Sequence, residues 1–127
     1  MAGTAGVVTV VVIDDQLPFR RAAAEMLRHL ADFELVGEAR SGEEGVELAL
    51  RLEPRMVLMD VRLPGIDGTE ATRQILASRP GTAVVLVSTY PRRSLPPEIG
   101  TCGAARFLPK EQLGPDTLAA IASGLPR

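Results

Sequence analysis

Val10, Val11, Val12, Ile13, Asp14 and Asp15 run four branched apolar side chains directly into two carboxylates. Branching at Cβ favours extended backbone, and the run has no polar alternation, so both of its faces are destined for burial. A buried strand of this kind predicts a parallel sheet covered by helices on both sides. Widened to residues 7–13, the run is still far too short to span a bilayer, and no basic segment precedes it as in a secretory leader. The aspartates lie where such a sheet binds ligands, just past the carboxyl end of a strand.

The rest of the chain repeats the alternation this predicts. Pro18 suits a first helical turn, and Ala23, Met26, Leu27 and Leu30 follow at helical spacing. Phe33, Leu35 and Val36 make a short second strand. Ser41 with Glu44 has capping-box spacing, and Val46, Ala49 and Leu50 give the next helix an apolar stripe. Residues 56–59 form a third buried strand that ends at Asp60, followed by a turn at Pro64 and Gly65. Asp67 and Glu70 cap a helix carrying Ile75 and Leu76, which stops near Pro80. Residues 83–87 and 106–108 are the fourth and fifth strands, and Gly114 and Pro115 open a last helix through Leu118 and Ile121. The expected class is α/β: a doubly wound, five-stranded parallel sheet.

Composition narrows the function. The chain has 127 residues, 46% of them hydrophobic, enough for one compact domain with a continuous core. A formal net charge of −2 provides no polybasic footprint, so neither direct nucleic-acid binding nor a membrane surface is expected. Cys102 is the only cysteine, which excludes an internal disulfide and suits a reducing, cytoplasmic setting. No histidine is available to activate it, since His29, the only one, falls late in the first helix and suits a solvent-facing or helix-end position.

If the first and third strands are neighbours, Asp14, Asp15 and Asp60 converge. Unscreened, they repel one another, and a hard divalent cation with oxygen ligands resolves the repulsion. Singly, Asp15 is as readily a helix cap, Ser88 and Thr89 a routine strand end, and Lys110 a surface lysine. As an ordered set they are more specific: a hydroxyl after the fourth strand can donate to a phosphoryl oxygen, and an ammonium after the fifth can pair with a carboxylate.

That order resembles the receiver domain of two-component response regulators. The resemblance rests on residues 10–15, 58–68, 85–89 and 103–110, and it takes residues 1–127 as one receiver domain. It implies a flavodoxin-like fold with strand order 2-1-3-4-5. It makes Asp60 the phosphoacceptor and gives Asp14, Asp15, Asp60 and the backbone carbonyl of Arg62 to Mg²⁺, or to another divalent cation such as Mn²⁺. Ser88 becomes the switch hydroxyl, Phe107 the aromatic that moves inward with it, and Lys110 a contact of the phosphoryl group. The implied donor is a sensor histidine kinase or phosphotransfer protein. The implied output is a downstream protein or a linked domain, with room for a homodimer that forms on phosphorylation. The chain would lose its own phosphoryl group slowly without being a conventional enzyme. The alternative is the receiver fragment of a DNA-binding transcriptional regulator.

The sequence departs from that family in two places. Between Ser88 and Gly103, Pro91, Pro96, Pro97 and Gly100 leave little room for a helix, which predicts a short or irregular fourth helix. Around Lys110 the proline precedes the lysine instead of following it.

Overall fold

The computed structural model describes residues 6–125. Five strands, β1 (Val8–Ile13), β2 (Phe33–Ala39), β3 (Met56–Asp60), β4 (Ala83–Ser88) and β5 (Arg106–Pro109), form one sheet in the order β2-β1-β3-β4-β5. Every pairing is parallel. Four α-helices connect or follow them: α1 (Leu17–Arg28), α2 (Gly42–Leu52), α3 (Gly68–Ser78) and, at the C-terminal end, α4 (Pro115–Ser123). This is the flavodoxin-like sandwich, and no described helix is long and apolar enough to cross a membrane.

The period of two along each strand divides the core. Val11, Ile13, Val57, Met59, Val84 and Leu86 face one side with Ala49 of α2 and Ala71 and Ile75 of α3. Val10, Val12, Met56, Leu58, Val85 and Val87 face the other with Ala23 and Leu27 of α1 and Leu118 and Ile121 of α4. Burial on both faces explains why the central strands show no polar alternation.

Three details differ from the sequence reading. β2 runs on to Ala39 because its pairing with β1 skips Val36: Val10 faces Leu35 and Val11 faces Gly37. On α2, Leu50 is exposed, while Gly45 and Ala49 take the inner face. The cap of α2 is half the expected box. Ser41 Oγ accepts from the Glu44 N–H at 3.1 Å, but Glu44 Oε1 accepts from the Arg40 N–H, one residue outside the box.

The expected irregularity after β4 takes a definite form. Two 3₁₀ turns, Arg92–Ser94 and Pro97–Gly100, stand where the fourth helix of the pattern would be. Leu95, Ile99 and Cys102 point inward from this segment and complete the core on the α2–α3 side. The segment therefore covers the sheet as a helix would, with short runs of i→i+3 hydrogen bonds in place of a continuous α-helical ladder. All peptide bonds in the described residues are trans.

Candidate functional site

The parallel sheet brings the carboxyl ends of β1, β3, β4 and β5 to one edge, and the chemistry-bearing residues sit there. Asp14 follows β1, Asp60 ends β3, Ser88 ends β4 and Lys110 follows β5. Asp14, Asp15 and Asp60 each offer a carboxylate oxygen, and these oxygens lie within 4.8 Å of one another. Asp14 is fully buried and Asp60 nearly so, whereas Asp15 is exposed.

Buried carboxylates need partners. Asp14 Oδ1 accepts from the Gln16 N–H at 2.8 Å. Asp14 Oδ2 lies 2.7 Å from Lys110 Nζ, yet no donor is aligned with it for a hydrogen bond. Lys110 Nζ is 3.9 Å from Asp60 Oδ2 and 4.3 Å from the centre of the Phe19 ring. One ammonium thus faces two buried carboxylates. Burial, together with this imbalance, pushes the Asp60 carboxyl up from 3.8 to about 6. Burial is the largest cause and repulsion from Asp14 the next; Lys110 lowers it, Asp15 raises it, and the backbone N–H of Arg62 lowers it.

An oxygen-binding cation fits this donor set. Three carboxylates close together, two of them buried and sharing a single ammonium, leave a net negative charge that a hard divalent ion neutralises.

The remaining predicted residues lie close by but are engaged differently. Ser88 is buried at the end of β4, one residue beyond the Val87 that pairs with Asp60, and its Oγ accepts from the Tyr90 N–H at 2.9 Å. Thr89 is exposed beyond the strand. Phe107 is half-buried on β5 opposite Leu86, and the Arg92 guanidinium lies 5.8 Å from its ring centre. The Arg62 side chain points along the surface, 4.3 Å over the Tyr90 ring, and donates to the Ser94 carbonyl at 3.0 Å. His29 is an exposed helix C-cap, and Cys102 is buried in the core.

The sequence reading missed two contributors. Arg20 is buried, donates to the Asp14 carbonyl at 2.8 Å and pairs with Glu38 at 3.2 Å, which ties the β1–α1 turn to β2. A signal was present, since Arg20 shares the inward face of its helix with Ala23 and Leu27 at i+3 and i+7. Glu43, on the first turn of α2, accepts the Ile66 N–H from the loop after β3, and nothing in its spacing announced that reach.

The profile of the response regulator receiver domain matches residues 10–122. The response regulator GacA of Pseudomonas protegens is 41% identical over 103 residues, covering 81% of this chain and 48% of that protein. Protein-glutamate methylesterase/protein-glutamine glutaminase 4 of Myxococcus xanthus is 42% identical over 110 residues, covering 85% of this chain and 31% of its own length. The chain thus spans about half, or less, of these curated relatives. Among solved structures, the signal receiver domain of NarL from Mycobacterium tuberculosis superposes with a TM-score of 0.85 at 30% identity, covering 93% of this chain and 98% of that one.

Proposed function

This chain belongs to the response regulator receiver domain family of two-component systems, and from that premise we propose that Asp60 accepts a phosphoryl group with a divalent cation held at Asp14, Asp15 and Asp60. The observation that carries the reading is the convergence of these three carboxylates at one sheet edge, where Lys110 faces Asp14 and Asp60. Mg²⁺, or Mn²⁺ in its place, would neutralise charge on the transferring group, with the Arg62 carbonyl as a further ligand.

The residues divide the work. A carboxylate oxygen of Asp60 attacks phosphorus while the bond to the donor's leaving atom breaks, giving an acyl phosphate on Asp60. The donor is a phosphohistidine on a sensor kinase or phosphotransfer protein. Lys110, already between Asp14 and Asp60, shifts toward the new phosphoryl oxygens. Ser88 uses an oxygen lone pair on Tyr90 and keeps its own proton free, so it can donate to the phosphoryl group without losing that bond. Drawing Ser88 inward pulls on Tyr90, and Phe107 on the adjacent strand moves into the space released. Water later hydrolyses the acyl phosphate, slowly, so the chain acts as a signalling phosphoacceptor and not as a turnover enzyme.

The readout falls on the surface between β4 and β5, where the two 3₁₀ turns replace a helix. A downstream protein or a linked output domain reads that surface, and a phosphorylation-dependent homodimer uses the same face. Residues 1–127 act as one receiver domain in this reading, in the cytoplasm and without direct nucleic-acid contact.

The test is intact-mass measurement after incubation with acetyl phosphate, with and without Mg²⁺, on the natural chain and on Asp60→Asn. The expected result is a Mg²⁺-dependent gain of one phosphoryl group that the variant lacks. An equal gain in the variant would move the acceptor elsewhere.

A further inference from the structure

The first turn of α2 grips the loop that follows Asp60. Glu43 Oε2 accepts the Ile66 N–H at 3.0 Å, which is that N–H's one hydrogen bond among the described residues. Gly42 stands so close that a Cβ there would lie 2.6 Å from the Ile66 carbonyl oxygen. Gly65 has φ +76, a conformation in which glycine is favoured, and any side chain on it would strike the Glu43 carboxylate. Both glycines thus clear room for one contact between a helix and a loop.

That loop, residues 61–67, is short and tied at both ends. Val61 donates to the Val87 carbonyl at 3.1 Å and accepts from the Gly68 N–H at 2.8 Å, while Asp67 Oδ1 caps α3 by accepting from the Glu70 N–H at 2.9 Å. A displacement at Ile66 has few bonds in which to dissipate before it reaches Arg62, whose backbone N–H stabilises the ionised form of Asp60. Glu43 is itself exposed and touches none of the reacting groups, so its influence runs through the loop.

We propose that Glu43 is a positioning residue for the acidic site: by holding the Ile66 N–H it fixes the loop that sets the Arg62 backbone against Asp60, and so tunes affinity for the divalent cation. The inference rests on the cation-assisted phosphoacceptor reading above. Charge plays no part in it beyond strengthening the hydrogen bond, so an uncharged acceptor of the same shape should serve nearly as well.

The experiment titrates Mg²⁺ alone into the natural chain, Glu43→Gln and Glu43→Ala by calorimetry. It also records the Mg²⁺ dependence of acetyl phosphate labelling and the melting temperature in the absence of metal. Glu43→Ala is expected to weaken Mg²⁺ binding about tenfold, the size of effect seen when outer partners of a metal site are lost. Labelling at saturating Mg²⁺ should stay within about twofold of the natural chain, because the reacting groups themselves are untouched. Glu43→Gln should bind Mg²⁺ within about twofold of the natural chain. Unchanged Mg²⁺ affinity in Glu43→Ala, with or without a lower melting temperature, would reduce the contact to a structural one and overturn the proposal. Equal weakening in Glu43→Gln would replace positioning by a charge effect and overturn it as well. If the natural chain neither binds Mg²⁺ nor takes up a phosphoryl group, the functional reading falls together with this one; if it does both and Glu43→Ala matches it, this inference falls alone.

Discussion

Met56, Val57, Leu58 and Met59 share a strand with Asp60, and all five are buried, yet they act in opposite directions. The four apolar residues gain from leaving water and pack against both helical layers. Asp60 loses hydration, faces two like charges and receives only part of one ammonium, 3.9 Å away. The strand body therefore stabilises the sheet that holds the strained end in place. Local charge frustration of this kind is tolerated where it serves chemistry, and the contrast can be broken by experiment.

The largest effect should come from the strand body. Leu58→Ala removes a fully buried side chain from the α1–α4 side of the core and should cost about 2–5 kcal/mol in denaturant unfolding. Next comes the ammonium that restrains the acidic end. Lys110→Ala leaves Asp14 buried without its counter-charge and should cost about 3 kcal/mol. The same change should raise the Asp60 carboxyl further above about 6, read by carboxyl-carbon NMR titration, because Lys110 lowers it now.

The pH dependence of the metal-free chain carries a definite sign. The folded Asp60 carboxyl stands at about 6 and its ordinary value is 3.8, so between these pH values the folded state holds the proton more tightly than the unfolded one. The contribution of this group to stability is most favourable below 3.8, declines as pH rises to about 6, and stays at its least favourable above that. The span is about 3 kcal/mol, measurable as the difference between the urea-unfolding curves of the natural chain and Asp60→Asn across that range. The smallest effect is expected at the surface, where neither burial nor repulsion acts strongly. Arg62→Ala removes the stack on Tyr90 and the bond to the Ser94 carbonyl and should cost about 1 kcal/mol or less in melting experiments.

The same contrast governs what could be foreseen from sequence. Strands β1, β3 and β4 were legible because unbroken branched apolar runs have few other fates, and the positions of the acids and the hydroxyl at their ends, and of the lysine after β5, were legible with them. The prolines after Ser88 were legible as the loss of a helix, though not the inward placement of Leu95, Ile99 and Cys102, which depends on the core they close. The phase of α2 was misread at Leu50, because Gly45, which looks like a weak helix residue, is required against Ile13. Arg20 and Glu43 make their contacts across elements, to Asp14 and to Ile66, and local spacing does not encode such partners.

The central claim is that Asp60 is held charged at a cost so that a cation and a phosphoryl group can use it. The most direct measurement is urea unfolding of the natural chain and Asp60→Asn at neutral pH, each with and without Mg²⁺. The account predicts that Asp60→Asn is the more stable of the two without metal, by up to about 3 kcal/mol, and that Mg²⁺ narrows the gap by stabilising the natural chain. A metal-free Asp60→Asn that is no more stable than the natural chain, or equal stabilisation of both by Mg²⁺, would contradict it.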